Sequence, residues 1–371
     1  MDYSLADAYM RLRHSDHISA TRLSKLLCDA GNIHCVVQQN ATLLQSVRQP
    51  SADTLAKIEA EFAWAGQANN ALLFYEEANY PARLRQIDCP PPVLAVRGNA
   101  EILSEPQLAI VGSRKCSSYG RQMSHWLGRE LGDCGLTITS GLAVGVDAAA
   151  HRGALSAAGD SGKSIAVVAT GLDTVYPRQH RQLMDTLVKQ GAVVSEFPLG
   201  TVPRAANFPQ RNRLISGLSQ GVLVIEAGLR SGSLITARLA MEQNREVFAL
   251  PGRIDNPLAR GCHYLLRNGA KLIEGPGDIL EELNPELLVN LRHEGRNRPG
   301  PSQSIQNYQG DPRCKKILQT LRQGEMLFEL LQVETGLAPE ILQSCILQLE
   351  LQGFLNFSGG SVQLCDNACQ A

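Results

Sequence analysis

The sequence lacks most features that would announce a function. Its 371 residues carry 35 basic and 36 acidic side chains, a net charge of −1. A balance so close to zero does not advertise a nucleic-acid protein, so any anion site must come from local clustering of arginine and lysine. No run of 18 apolar residues occurs, so no membrane-spanning helix is expected. The opening stretch, MDYSLADAYMRLRHSD, alternates acidic and basic residues without the apolar core of a signal peptide. A cytoplasmic protein is expected.

Chemistry-bearing motifs are equally scarce. The ten cysteines stand at irregular spacings with no CxxC pair, which predicts reduced, packed thiols. CDNAC at 365–369 has no second ligand pair to complete a metal site, and no HExxH occurs. No metal is expected. GDSGKS at 159–164 ends like a phosphate loop, but Ala157 stands where the pattern needs its first glycine. It also follows a helix and precedes a strand, the reverse of the order that aims a helix N-terminus at phosphate. In VGSRKCSSYG, Gly112 fits the first position of a dinucleotide fingerprint, but Arg114 replaces the second glycine. An arginine there obstructs a pyrophosphate yet suits a single phosphate through charge-assisted hydrogen bonds. No cofactor is expected. His151 follows Asp147 by one helical turn, a spacing open to a general base and its orienter or to a helix-start acid beside a packed histidine. The second reading is preferred, and His180 is read the same way.

What is present is organisation. Residues 1–70 read as short amphipathic helices, several preceded by serine or threonine as N-caps. Three prolines, 90–92, stiffen a connector into the strand VLAVRG. From residue 108, apolar runs alternate with helical segments: LAIVG, LTITSGL, SIAVVATGL, AVVSEFP, GVLVIEAG and EVFALPG. That alternation predicts a doubly wound α/β sheet over 71–290, with ligands outside the carboxyl ends of the strands. Residues 291–312 are polar and rich in Gly, Pro, Ser and Gln, a linker. Residues 313–371 read as three helices and a hairpin turning on Gly359-Gly360, a winged-helix-like module. Its third helix carries Glu340 and Glu350 and no base, a poor surface for a DNA groove.

Four strand-end segments are suited to phosphate. GSRK supplies Ser113, Arg114 and Lys115; TSGLAVG supplies Ser140 and Gly141 before a helix; RAANFPQRNR supplies Arg204, Phe208, Arg211, Asn212 and Arg213; and LRSGSLITA supplies Arg230, Ser231, Gly232 and Ser233 at another helix start. Arginines, small polar residues and one aromatic fit a groove that follows a sugar–phosphate chain and stacks a base on Phe208. Singly, each has a plainer reading: ion-paired arginine, core phenylalanine, capping serine. The case for the groove is their convergence on one sheet edge.

The segments IVGSRKCSSYGRQ, SGLAVGVDAAAHRGAL, ATGLDTVYPRQHRQL, FPQRNRLISGLSQGVLVIEA and SGSLITARLAMEQNREVFALPG resemble the DNA processing protein A family, also called Smf, over about residues 80–283. The resemblance implies an extended Rossmann-like domain after a small helical (SAM or helix-hairpin-helix-like) domain. It implies binding of single-stranded DNA, dimerisation through the Rossmann-like domain, and loading of the recombinase RecA during DNA uptake and natural transformation. DNA contact carries over to Ser113 and Arg114 and to Phe208–Arg213; Lys115, Arg204 and 231–233 extend it by charge and placement. Two departures stand out. RHSDHISATRL lacks the glycine of a helix-hairpin-helix turn, and Ala259, Gly261 and His263 replace a Ser-x-Gly-x-Asn pattern. Two other readings compete: a protein-only scaffold, and a phosphoribohydrolase-like nucleotide enzyme. The latter needs an acid just after Gly232, and the first one is Glu242, two to three turns on. No enzyme is expected.

Overall fold

Side-chain caps open the N-terminal helices one after another. In the computed structural model, which describes residues 4–15, 17–159, 162–291, 310–321, 326–352 and 354–364, α1 (Leu5–Arg13) starts at Ser4, whose hydroxyl accepts the Asp7 amide at 3.1 Å. Ser19, Asn32, Asn40 and Ser51 do the same for α2 (Ala20–Ala30), α3 (Ile33–Gln38), α4 (Ala41–Arg48) and α5 (Ala52–Ala65). Tyr9, Met10, Leu12, Leu27, Ile33 and Val37 fill their shared core, which also takes in Phe74 and Val93 from the sheet. Most of the linker, residues 160–161 of the loop-like segment and the CDNAC cysteines lie outside the described residues.

The sheet then builds in sequence: β1 (Asn70–Phe74), α6 (Ala82–Arg85), β2 (Val93–Gly98), β3 (Gln107–Val111), α7 (Ser118–Asp133), β4 (Thr137–Ser140), α8 (Val146–Leu155), β5 (Ser164–Val167), α9 (Arg181–Gln190), β6 (Ala192–Ser195), α10 (Asn207–Leu218), β7 (Gly221–Val224), α11 (Gly232–Glu242), β8 (Glu246–Ala249), α12 (Arg260–Arg267), β9 (Lys271–Leu272) and α13 (Pro276–Leu283). Nine strands lie in the order β1-β2-β6-β5-β4-β3-β7-β8-β9. β3 to β9 are parallel, while β2 runs antiparallel to both β1 and β6. β3 to β7 are buried along their whole length, which is why they read as unbroken apolar runs. Along β3, Ala109 and Val111 enter one apolar cluster and Leu108 and Ile110 another, so helices cover both faces.

β1, β9 and α6 were not expected. β1 is antiparallel and half-buried, and β9 is only two residues long, so neither carries the strong apolar signature of the central strands. The chain moves from β3 through β4, β5 and β6 on one side, then crosses back to β7, β8 and β9 on the other. The crevice above the carboxyl ends of β3, β4 and β7 is therefore the topological switch point, where such sheets bind ligands.

Two compact units divide the chain, Met1–Arg292 and His293–Ala371. In the second, α14 (Pro312–Thr320), β10 (Met326–Leu327), α15 (Phe328–Thr335), α16 (Pro339–Leu351), β11 (Leu355–Ser358) and β12 (Ser361–Leu364) form three helices and a small antiparallel sheet. The β11–β12 turn is Gly359-Gly360, at φ 62° and 82°, as the sequence predicts. β10 adds a third strand to the hairpin, completing a winged helix. All eight described cysteines are free thiols. Among the described residues, no helix is long and apolar enough to cross a membrane, and no group of side chains could hold a metal ion.

Candidate nucleic-acid interface

The loop after β3 is clamped from two sides. The Ser113 amide donates to the Glu226 carbonyl at 2.7 Å, at the end of β7, and the Ser113 carbonyl accepts the Val146 amide at 3.2 Å, at the start of α8. The second contact needs Gly145: its φ is +85°, and a Cβ there would lie 2.3 Å from the Ser113 oxygen. At the loop's far end Ser117 caps α7 and gives both its amide (2.8 Å) and its hydroxyl (2.5 Å) to the Glu226 carboxylate. With both ends fixed, Arg114 and Lys115 are left projecting into solvent.

Arg211, from the first turns of α10, lies beneath that loop. It is buried, and its Nη1 donates to the Gly141 carbonyl at 2.8 Å and to the Val167 carbonyl, tying together the ends of β4 and β5. Asp147 lies close by. Its Oδ2 accepts the amides of Gly141 (3.2 Å) and Ala143 (3.3 Å). A Cβ on Gly141 would fall 2.7 Å from both Asp147 Oδ2 and Arg211 Nη2, so only glycine lets the two charged groups converge here. Burial lowers the Arg211 pKa to about 10, against the opposing pull of Asp147. Burial also pushes the Asp147 carboxyl up to about 6, with Arg211 and the two amides holding it down.

Above these groups opens a cavity of about 130 Å³, lined among others by Arg114, Gly141, Thr170, Tyr176, Phe208 and Arg211. The Arg114 guanidinium lies 5.1 Å from the centroid of the Phe208 ring. The Tyr176 ring lies 5.7 Å from Phe208 on a 56° tilt. An exposed arginine, a second arginine in the wall and two rings form a slot able to take a phosphate against the guanidinium and a base against the rings.

The structure thus brings together Arg114, Gly141, Phe208 and Arg211, with Ser113 and Lys115 on the adjoining loop. Asn212 accepts from Arg211 Nε at 3.3 Å and donates to the Gly232 carbonyl at 3.4 Å, linking α10 to the start of α11. There Ser231 caps the helix, its hydroxyl 2.7 Å from that of Ser233, and Gly232 is exposed. Arg204 is exposed ahead of α10.

Two expected contacts need correcting. Ser140 is fully buried and donates to the Ile110 carbonyl at 2.6 Å, so it braces the strand end from within. Arg213 is held in a two-pronged ion pair with Glu196, at 3.1 and 2.6 Å, with both side chains largely buried. Its charge is already neutralised.

Sequence reasoning missed Tyr176. The only signal was an aromatic residue beside proline in TVYPRQ, in the loop between β5 and α9. The candidate acid–base pair does not form. His151 Nδ1 meets the Ser164 hydroxyl at 2.7 Å in full burial, and His180 Nδ1 donates to the Leu142 carbonyl at 2.9 Å. Gly-Leu-Ser-Gln-Gly at 217–221 has the spacing of a serine-nucleophile elbow, but it precedes a strand, and Ser219 is fully buried, donating to the Ile215 carbonyl at 2.9 Å. Glu242, the first acid after Gly232, ends α11 in an exposed ion pair with Arg238.

A mostly parallel sheet with an arginine-and-aromatic slot over its switch point defines an extended Rossmann-like protein with an arginine-lined crevice. Residues 71–284, more than half of the chain, match the family model described as DNA recombination-mediator protein A, and the chain belongs to that family. It is similar to Protein Smf of Escherichia coli (strain K12), 47% identical over 249 residues, covering 67% of this chain and 66% of that one. The X-ray structure of DNA processing protein A from Streptococcus pneumoniae superposes with a TM-score of 0.66 at 35% identity, covering 76% of this chain and 99% of that one. A structure of DNA processing protein A from Helicobacter pylori, described for its single-stranded DNA binding mode, superposes with a TM-score of 0.53 at 31% identity, covering 58% of this chain and 96% of that one.

Proposed function

We propose that this protein binds single-stranded DNA in the slot over the switch point and acts as a recombination mediator, shielding the strand and helping to load RecA. The observation that carries the reading is Arg114 poised over Phe208 beside the buried Arg211, a pairing of fixed positive charge with a stacking surface. The Helicobacter relative's single-strand binding mode supports it, as does membership of the mediator family. Dimerisation through the Rossmann-like domain and action without catalysis are parts of the same proposal. The phosphoribohydrolase-like alternative is disfavoured by the place of Glu242 at the far end of α11.

Ultraviolet cross-linking of full-length protein to oligo-dT, followed by peptide mapping, tests the site. Cross-links to the peptides carrying Phe208 or Tyr176 support the slot. Cross-links confined to residues 1–70 or 313–371 contradict it. Loading is tested by the onset of RecA's ATP hydrolysis on single strands already coated with a single-strand-binding protein, which the mediator should hasten.

A further inference from the structure

The C-terminal unit carries a surface for which single-strand binding has no use. From Met326 to Leu364 the chain has four glutamates, Glu329, Glu334, Glu340 and Glu350, and no lysine, arginine or histidine. In a winged helix the third helix, here α16, is the one placed to enter a DNA groove. Along it Glu340, Ser344, Leu347 and Leu351 recur at spacings of four, three and four, a single outward stripe in which every residue is exposed. Leu347 is 57% exposed and Leu351 81%. The inward stripe of Leu342, Cys345, Ile346 and Leu349 already fills the core, so the outer leucines are not needed there. On α15 the pattern repeats. Leu331 and Thr335 are buried, while Leu330 (50%) and Val333 (76%) are exposed between Glu329 and Glu334. The Phe357 amide donates to Glu350 at 3.1 Å, holding strand β11 against the last turn of α16.

Single exposed apolar residues need no explanation, but four large ones on two consecutive helices, whose only charged residues are the four glutamates, mark a binding face. The same acids repel phosphate, so the occupant is not nucleic acid. We propose that the outer faces of α15 and α16 form a docking surface for a basic amphipathic helix of another protein. The partner's apolar anchors would cover Val333, Leu347 and Leu351. Its lysines or arginines would meet Glu334 and Glu340 at the rim, where charge complementarity selects the partner and speeds encounter. The inference rests on this unit alone and stands or falls separately from the slot.

The test uses the full-length chain and a labelled synthetic helix with leucines at i, i+3, i+4 and i+7 and lysines elsewhere, beside a twin with glutamates for the lysines. The lysine peptide should bind saturably and the glutamate peptide should not. Leu347→Ser with Leu351→Ser should weaken binding at least tenfold, and Glu334→Gln with Glu340→Gln several-fold. Both variants should keep the parent's melting temperature and oligo-dT affinity. Equal binding of the two peptides, or lysine-peptide binding indifferent to both variants, overturns the proposal. So does sedimentation showing that the parent self-associates and the leucine variant does not, because the occupant would then be a second copy of this chain.

Discussion

The guanidinium of Arg114 stands 5.1 Å from the centre of the Phe208 ring, joining the loop after β3 to the first turn of α10. The contact orients an exposed cation that has no carboxylate partner among the ion pairs of the described residues. Arg114→Ala should therefore weaken oligo-dT binding and make the slope of log K against log salt shallower by about 0.7, the value for one phosphate on a single strand. Being exposed, the substitution should change stability by no more than about 0.5 kcal/mol. Anisotropy across a salt series and a thermal melt check both.

Tyr176 packs against Phe208 at the mouth of the slot and is itself exposed. Alanine at either ring should cost about 1–3 kcal/mol of single-strand affinity through lost stacking. Unlike Arg114→Ala, Tyr176→Ala should leave the salt slope unchanged, because Tyr176 meets Phe208 and not the arginine. A Tyr176→Ala variant of parental affinity would place the base elsewhere.

Arg211 and Arg213 should part company. Arg213→Ala strands the buried Glu196 carboxylate and should destabilise the fold by roughly 3–5 kcal/mol. Its folded fraction should bind oligo-dT with the parental salt slope. Arg211→Ala should lower both stability and affinity, because it frees the carbonyls of Gly141 and Val167 and removes a wall of the slot. Urea denaturation paired with anisotropy on each variant separates the two roles. A stable Arg213→Ala protein that fails to bind DNA would overturn its assignment as a brace.

Asp147 and His151 pull the pH dependence of stability in opposite directions. The Asp147 carboxyl titrates near 6 in the fold against a usual 3.8, so the folded state holds the extra proton between those values. Its contribution to stability falls as pH rises through that window. Burial lowers His151 from 6.5 to about 3, so there the unfolded state holds the extra proton, and stability is lost as pH falls below 6.5. Between about pH 4 and 6 the two effects offset each other. Asp147→Asn should uncover the histidine, giving a loss approaching 1.4 kcal/mol per pH unit on acidification, where the parent is flatter. Melts from pH 4 to 7 would show parallel curves if the carboxyl titrates normally.

The central sheet was legible because its parallel strands are buried on both faces and so read as unbroken apolar runs. The short and antiparallel edge strands, β1 and β9, send a weaker signal and were lost. Within the site, Gly141, Arg114 and Phe208 were legible from their place at strand ends and helix starts. The different roles of Arg211 and Arg213 were not. Two residues apart on a helix point roughly 200° apart, and only the fold shows that one meets carbonyls under the slot and the other meets Glu196. Ser140 shows the same limit: a strand-end hydroxyl reads alike whether it faces solvent or donates inward to Ile110. Tyr176 comes from the loop between β5 and α9 and reaches the slot only through the fold.

The most direct test of the account is the anisotropy of a labelled oligo-dT titrated with the parent protein and with Arg114→Ala at two salt concentrations, beside a duplex of equal length. The account predicts salt-sensitive binding that favours the single strand, and weaker, less salt-sensitive binding by the variant. Equal affinity for duplex and single strand, or a variant indistinguishable from the parent, would contradict it.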